Sequence, residues 1–175
     1  MRPTLYWLTV PALVASAPGA AWATTYLSVE QAQQAIFPQA KLERLELQLT
    51  PAQKKAIEKD SGTRVRTLRV DVWRVVDGGW FFVDEVIGKH EFITYALGLN
   101  ADGSVKRIEV LEYREHYGGE VRSRDWLGQF ANKEHGAALK LDNDIKNISG
   151  ATLSCRHITE GVKRLLAAYE LLLAK

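Results

Sequence analysis

Between Arg64 and Tyr113 the chain alternates strand-like stretches with breaks of only a few residues, and this restricts the possible folds more than any other feature. Arg64 to Val76 sets Val65, Leu68, Val70, Val72 and Val75 among polar residues. Its arginines, Arg64, Arg66, Arg69 and Arg74, fit the solvated face of a strand. Asp77-Gly78-Gly79 is a turn, and Trp80 to Ile87 is apolar enough for a buried strand. Gly88-Lys89 breaks it. Phe92 to Leu99 and Val105 to Tyr113 follow as strands, joined by the hairpin loop Asn100-Ala101-Asp102-Gly103. Parallel neighbours would need a long crossover between them, so connections this short make the sheet antiparallel.

Helix signals flank this sheet. Ser28 is placed to cap a short helix through Ile36, closed by Pro38. Thr50-Pro51-Ala52-Gln53 combines a cap, a first-turn proline and a capping-box glutamine, and predicts a helix to about Asp60 that stops at Ser61-Gly62. Tyr117 to Val121 is expected as a loop, with Ser123 capping a helix through Phe130 that sets Trp126, Leu127 and Phe130 on one face. Another loop covers Asn132 to Ile148. From about Ser149 to the end, Ile158, Val162, Leu165, Leu166, Tyr169, Leu172 and Leu173 form an apolar stripe at helical spacing. The class is α+β: an antiparallel sheet packed by helices, with a long amphipathic helix at the C-terminus.

The chain has 175 residues, 46% hydrophobic and 25% charged, which suits a globular protein. Its net charge of +2 is too balanced for a nucleic-acid partner. Met1-Arg2, the apolar run from Leu5 to Trp22 and the small residues of Ala21-Trp22-Ala23 have the layout of a signal peptide over residues 1–23. That leaves a single domain over 24–175 in the periplasm or otherwise outside the cytoplasm. A retained membrane anchor is the rival expectation. Cys155 stands alone and cannot form an internal disulfide. Cys155-Arg156-His157 is not a haem-attachment motif, and His90, His116, His135 and His157 lack ligand spacing, so no metal is expected. Nothing singles out a catalytic acid/base couple.

The segment that carries chemistry is Ser149-Gly150-Ala151-Thr152, continuing Leu153-Ser154. On its own the tetrapeptide is also compatible with an ordinary serine-capped helix. Its position before a C-terminal amphipathic helix, and a preceding hairpin from Leu99 through Asp102-Gly103 to Leu111, give it context. Over about residues 85–170 the chain resembles the FMN-binding domain family. That family includes the flavin domains of the Rnf complex G subunit and the sodium-pumping NADH:quinone oxidoreductase C subunit. The resemblance implies FMN as cofactor, joined through its phosphate to the Thr152 hydroxyl by a dedicated flavin transferase that splits FAD. It also implies an electron carrier or subunit with a membrane-associated or exported redox partner. In the family an aspartate usually stands six residues before the acceptor. Here Lys146 holds that place, with Asp142 and Asp144 nearby. Where the better-known subunits carry Glu-Thr-Pro-Gly, this chain has Glu115-His116-Tyr117-Gly118-Gly119-Glu120-Val121.

The residues have their own logic beside that resemblance. If Ser149 caps the last helix, Thr152 lies in its first turn, where free N–H groups and the helix dipole favour phosphate. Gly150 and Ala151 leave the approach open, Ser154 adds a hydrogen bond, and Arg156 balances charge. Tyr117 beside Gly118 and Gly119 is a candidate for stacking on a flat ring. Trp126 and Phe130 are candidates for ring contact, weighed against plain core packing, and His157 reads as a helix-surface residue. Three functions stay open: a covalent FMN electron carrier, a non-redox or non-covalent FMN-binding module, and an FMN-dependent reductase.

Overall fold

A computed structural model describes residues 24–174; the expected leader over 1–23 lies outside them. Strands β1 (Thr24–Thr25), β2 (Leu42–Gln48), β3 (Arg69–Val75), β4 (Trp80–Ile87), β5 (Phe92–Leu99) and β6 (Val105–Tyr113) form one sheet in the order β1-β6-β5-β4-β3-β2. Every pairing is antiparallel. With helices α1 (Val29–Ile36), α2 (Pro51–Ser61), α3 (Arg124–Leu127) and α4 (Thr152–Leu172), the fold is α+β as expected. Among the described residues no helix is long and apolar enough to cross a membrane.

Local chemistry explains the helix starts in the first half. Ser28 and Gln31 close a full capping box on α1, and Thr50 and Gln53 close another on α2. α2 ends at Gly62, whose left-handed conformation (φ +68°) suits a residue without Cβ. β4, β5 and β6 keep their expected bounds because turns flank them on both sides.

Two strand expectations change. β3 starts at Arg69, not Arg64. Val65 packs with Leu49, Ile57, Ala167 and Ala168, and the Arg64 carbonyl accepts from Arg164 Nη1, so this stretch follows the helices instead of the sheet. Of its apolar residues Val65 is buried, against α2 and α4, while Leu68 is exposed. β2 was not anticipated. Its sequence, Leu-Glu-Arg-Leu-Glu-Leu-Gln, is too charged to read as a buried strand, and it sits half-covered at the sheet edge.

Both faces of the sheet are covered. Phe81, Ala96 and Leu111 meet α1 through Ala32 and Ile36, while Phe82, Tyr95, Leu97 and Val110 share a core with α4. On α4, Ile158, Val162, Leu165 and Leu166 are buried, each stabilising by about 1.5–3 kcal/mol relative to exposure. Gly161 lets the helix lie close, since a Cβ there would come within 2.5 Å of the Tyr95 hydroxyl. Next to it Tyr95 donates to Asp84 at 2.8 Å and Arg164 donates to the same carboxylate at 2.5 Å, tying α4 to β4 and β5. α4 is thereby fixed at mid-length, and its N-terminus projects at one end of the sheet.

Candidate functional site

At that end, α4 meets the chain leaving β6 and the turn between β4 and β5. His157, in the second turn of α4, sets Nδ1 2.5 Å from the Ile87 carbonyl; the carbonyl can only accept, so the ring proton sits on Nδ1. Glu115, just past β6, accepts from the N–H groups of His90 at 2.5 Å and Glu91 at 3.0 Å. Burial pushes the Glu115 carboxyl up, but the N–H groups of Glu91, His90 and Lys89 outweigh it and hold the group below its ordinary range. The turn therefore braces both the helix and the loop.

The loop is pinned a second time. The Tyr113 hydroxyl donates to the Tyr117 carbonyl at 2.5 Å and lies 3.5 Å from Ser154 Oγ. Gly118 adopts φ +82°, and a Cβ on it would fall 2.7 Å from the Ala151 Cβ. Backbone therefore packs directly on the motif, where the pair of glycines was expected to admit a flat ring. From Gly119 to Arg122 the chain is a single 3-10 turn where a loop was expected. Tyr117 stands out from this corner at 85% exposure.

The start of α4 differs from the expectation. Ser149 does not cap it. Gly150 turns left-handed (φ +82°) and Ala151 N donates to Ile148 O at 3.0 Å, closing a tight turn that breaks helical continuity. The helix begins at Thr152, with Ala151 at the N-cap position and no side-chain cap. The first rung of its ladder is Cys155 N to Ala151 O, at 2.9 Å. The N–H groups of Thr152, Leu153 and Ser154 thus precede the ladder. They leave a positive helix end at the surface. Ser149 and Gly150 are exposed, and a Cβ on Gly150 would meet nothing within 4 Å.

Thr152 is half-buried, and its Oγ1 accepts from Asn147 Nδ2 at 3.2 Å. Leu153 and Arg156 are exposed beside it, while Ser154 and Cys155 are buried. Burial pushes the Cys155 thiol above its ordinary range, which suits a packing role.

The approach to the motif is rigid. Asp144 accepts from Lys140 N at 2.8 Å, Leu139 N at 3.1 Å and Lys133 Nζ at 2.9 Å. Its carboxylate therefore folds the loop and is not free to serve Thr152. Trp126 is buried against Phe130, with ring centroids 5.3 Å apart, and its indole N–H donates to the Lys146 carbonyl at 2.7 Å. Gln129 Oε1 accepts from Lys146 N at 2.7 Å, so the Lys146 backbone is gripped from both sides. Trp126 thus touches the approach to the motif through backbone, with its ring in the core.

The structure brings Tyr117, Gly118, Ala151, Thr152 and Ser154 together and sets Trp126 behind them. Sequence reasoning missed two participants. Tyr113 ends a strand far from the motif, and no local signal marks it. Asn147 lies five residues before Thr152, and only the turn at Gly150 folds it back. A cavity of about 550 Å³ lies elsewhere, between α2, α4 and β3, bordered by Arg66, Phe92, Asp84 and Arg164. At the rise of a helix, Arg164 is roughly 18 Å along α4 from Thr152.

No curated protein matches the chain. Residues 88–167 match the family model of the FMN-binding domain. The matched segment runs from the β4–β5 turn into α4 and contains every candidate residue named above from Tyr117 to Arg156.

Proposed function

We propose that this chain, which belongs through residues 88–167 to the FMN-binding domain family and has FMN as its cofactor, carries that FMN as a phosphodiester on Thr152 and passes electrons between partner proteins. The observation that supports this most is the start of α4. A half-buried threonine stands at its first residue, its hydroxyl held by Asn147, beside backbone N–H groups that no side chain caps. A phosphate at this place would meet hydrogen-bond donors and the positive helix end.

The residues fit the group in other respects. The space above Gly150 is open, which leaves room for a transferase to reach the hydroxyl. Arg156 is exposed one turn on and can balance the phosphodiester charge. Tyr117, fixed at its carbonyl by Tyr113, offers an exposed ring to shelter a flat heterocycle. FMN supplies one- and two-electron chemistry; this chain positions it and sets its surroundings. The partners in this reading are a flavin transferase using FAD and a membrane-associated or exported redox protein. The signal-peptide-like layout of residues 1–23 is the sequence feature that supports an exported site of action.

Lys146, standing six residues before Thr152, favours one rival: FMN held at the same helix start without a covalent bond. Denaturing electrophoresis of protein co-expressed with a flavin transferase separates the two. Flavin fluorescence is expected to run with the wild-type chain and to vanish in Thr152→Val. Flavin that is bound by the folded protein but released on denaturation supports the non-covalent rival. No flavin in either state overturns both.

A further inference from the structure

We infer that Asn147 is a positioning residue for the attachment of FMN to Thr152, an inference that rests on the proposed role of Thr152. Its amide does two things at once in the structure. Nδ2 lies 3.2 Å from Thr152 Oγ1, and Oδ1 is sealed from solvent with no hydrogen-bond partner. Among the described residues it is the one such side-chain atom. A buried acceptor without a partner costs free energy, and in a folded protein it calls for a reason.

The amide can sit in two ways. Turning it about its last torsion exchanges Oδ1 and Nδ2. With Oδ1 toward Thr152, the amide accepts the hydroxyl proton, and the free lone pairs of Oγ1 point away from it. With Nδ2 toward Thr152, the amide donates to Oγ1 whether or not that oxygen carries a proton. The structure shows the second arrangement, which also suits an ester oxygen; a half-turn of the amide gives the first, which directs the lone pairs of a free hydroxyl. The same side chain can therefore hold the threonine before and after attachment.

The attachment step is redox-neutral. The bond from Thr152 Oγ1 to the phosphorus of the FMN half of FAD forms. The phosphorus–oxygen bond to AMP breaks, AMP leaves with the electron pair, and the hydroxyl proton passes to a base of the transferase. Asn147 touches no atom of FAD and takes no proton; through its hydrogen bond it sets the direction of the attacking oxygen. Its own position is set in turn. The Lys146 backbone just before it is held by Trp126 Nε1 at its carbonyl and by Gln129 Oε1 at its N–H, both at 2.7 Å. The Gly150 turn then returns the chain so that Asn147 and Thr152 meet.

The test is the initial rate of flavin incorporation into purified full-length protein by a flavin transferase with FAD, measured across pH. Asn147→Ala is expected to slow incorporation by roughly ten- to a hundredfold at an unchanged thermal midpoint. Asn147→Asp keeps an acceptor in place. It is expected to recover much of the rate, with a new rise as pH passes through the carboxylate titration, which a merely structural role would not produce. Incorporation into Asn147→Ala at the wild-type rate overturns the inference. So does an Asn147→Asp variant as slow as Asn147→Ala and flat with pH, and this comparison holds even if Asn147→Ala folds poorly. A wild-type chain that takes up no FMN overturns the Thr152 reading and this inference with it, whereas FMN on wild type with an indifferent Asn147 removes this inference alone.

Discussion

Two threonines at two helix starts have opposite fates. Thr50 spends its hydroxyl on the N–H of Gln53, and Gln53 returns a bond to the Thr50 backbone, so the start of α2 is chemically closed. Thr152 stands one position further in, at the first residue of α4, where its hydroxyl caps nothing and the first N–H groups have no side-chain partner. The residue type is the same. What differs is the backbone before it: extended at Thr50, with ψ 159°, but turned at Ala151, with ψ 18°, after a left-handed Gly150. A threonine whose oxygen caps a helix cannot also offer it to a ligand, and in the proposed reading the chain separates these roles by where each helix begins.

Exchanging the roles gives the largest expected effect. Thr152→Val removes all covalent flavin and leaves the thermal midpoint nearly unchanged, because Thr152 forms no cap. Thr50→Ala keeps full flavin content but costs about 1 kcal/mol in chemical denaturation. Loss of flavin in Thr50→Ala with the fold intact would break the contrast.

The glycines beside the motif sharpen it. Gly118 and Gly150 share a left-handed backbone, yet a Cβ on Gly118 would fall 2.7 Å from the Ala151 Cβ, whereas one on Gly150 would meet nothing within 4 Å apart from its chain neighbours. Gly118→Ala adds overpacking to strain and should cost about 2–4 kcal/mol, together with slower flavin incorporation. Gly150→Ala adds strain alone and should cost about 1–2 kcal/mol. Equal losses in urea melts would show that the Gly118–Ala151 approach does not matter.

The smallest effect is on pH. The boxes on α1 and α2 use neutral groups, whereas the loop before α4 depends on the Asp144 carboxylate. Burial raises that group, but the Lys140 N–H, the Lys133 ammonium and the Leu139 N–H outweigh burial and hold it below its ordinary range. A depressed carboxyl adds stability above its unfolded value, about pH 4, and that stability fades as pH falls through the lower folded value. Hydrogen exchange at Leu139 and Lys140 should therefore quicken in acid before exchange at Gln53 does. Simultaneous loss of protection would mean that the loop has no separate anchor.

The same contrast explains what could be read in advance. α1 and α2 were legible to the residue at their starts because a capping box is a local device, written in Ser28–Gln31 and Thr50–Gln53. β4 to β6 were legible because Asp77-Gly78-Gly79, Gly88-Lys89 and Asn100 to Gly103 mark their ends. The cap of α4 was misplaced by two residues, since Ser149 has the right side chain for a cap and only the conformation of Gly150 denies it that role. β2 went unseen because an edge strand tolerates charge. Of the candidate site, the Tyr113–Ser154 contact comes from long-range folding, and the Asn147–Thr152 contact depends on the Gly150 turn, whose left-handed conformation the residue types do not spell out.

The most direct measurement is peptide sequencing by mass spectrometry after trypsin cuts at Lys146 and Arg156. The peptide Asn147–Arg156 carries Ser149, Thr152 and Ser154, so it holds each hydroxyl of the motif at once. The expected result is FMN on Thr152 alone. FMN on Ser149 or Ser154, or an unmodified peptide from protein that holds covalent flavin, would contradict the account.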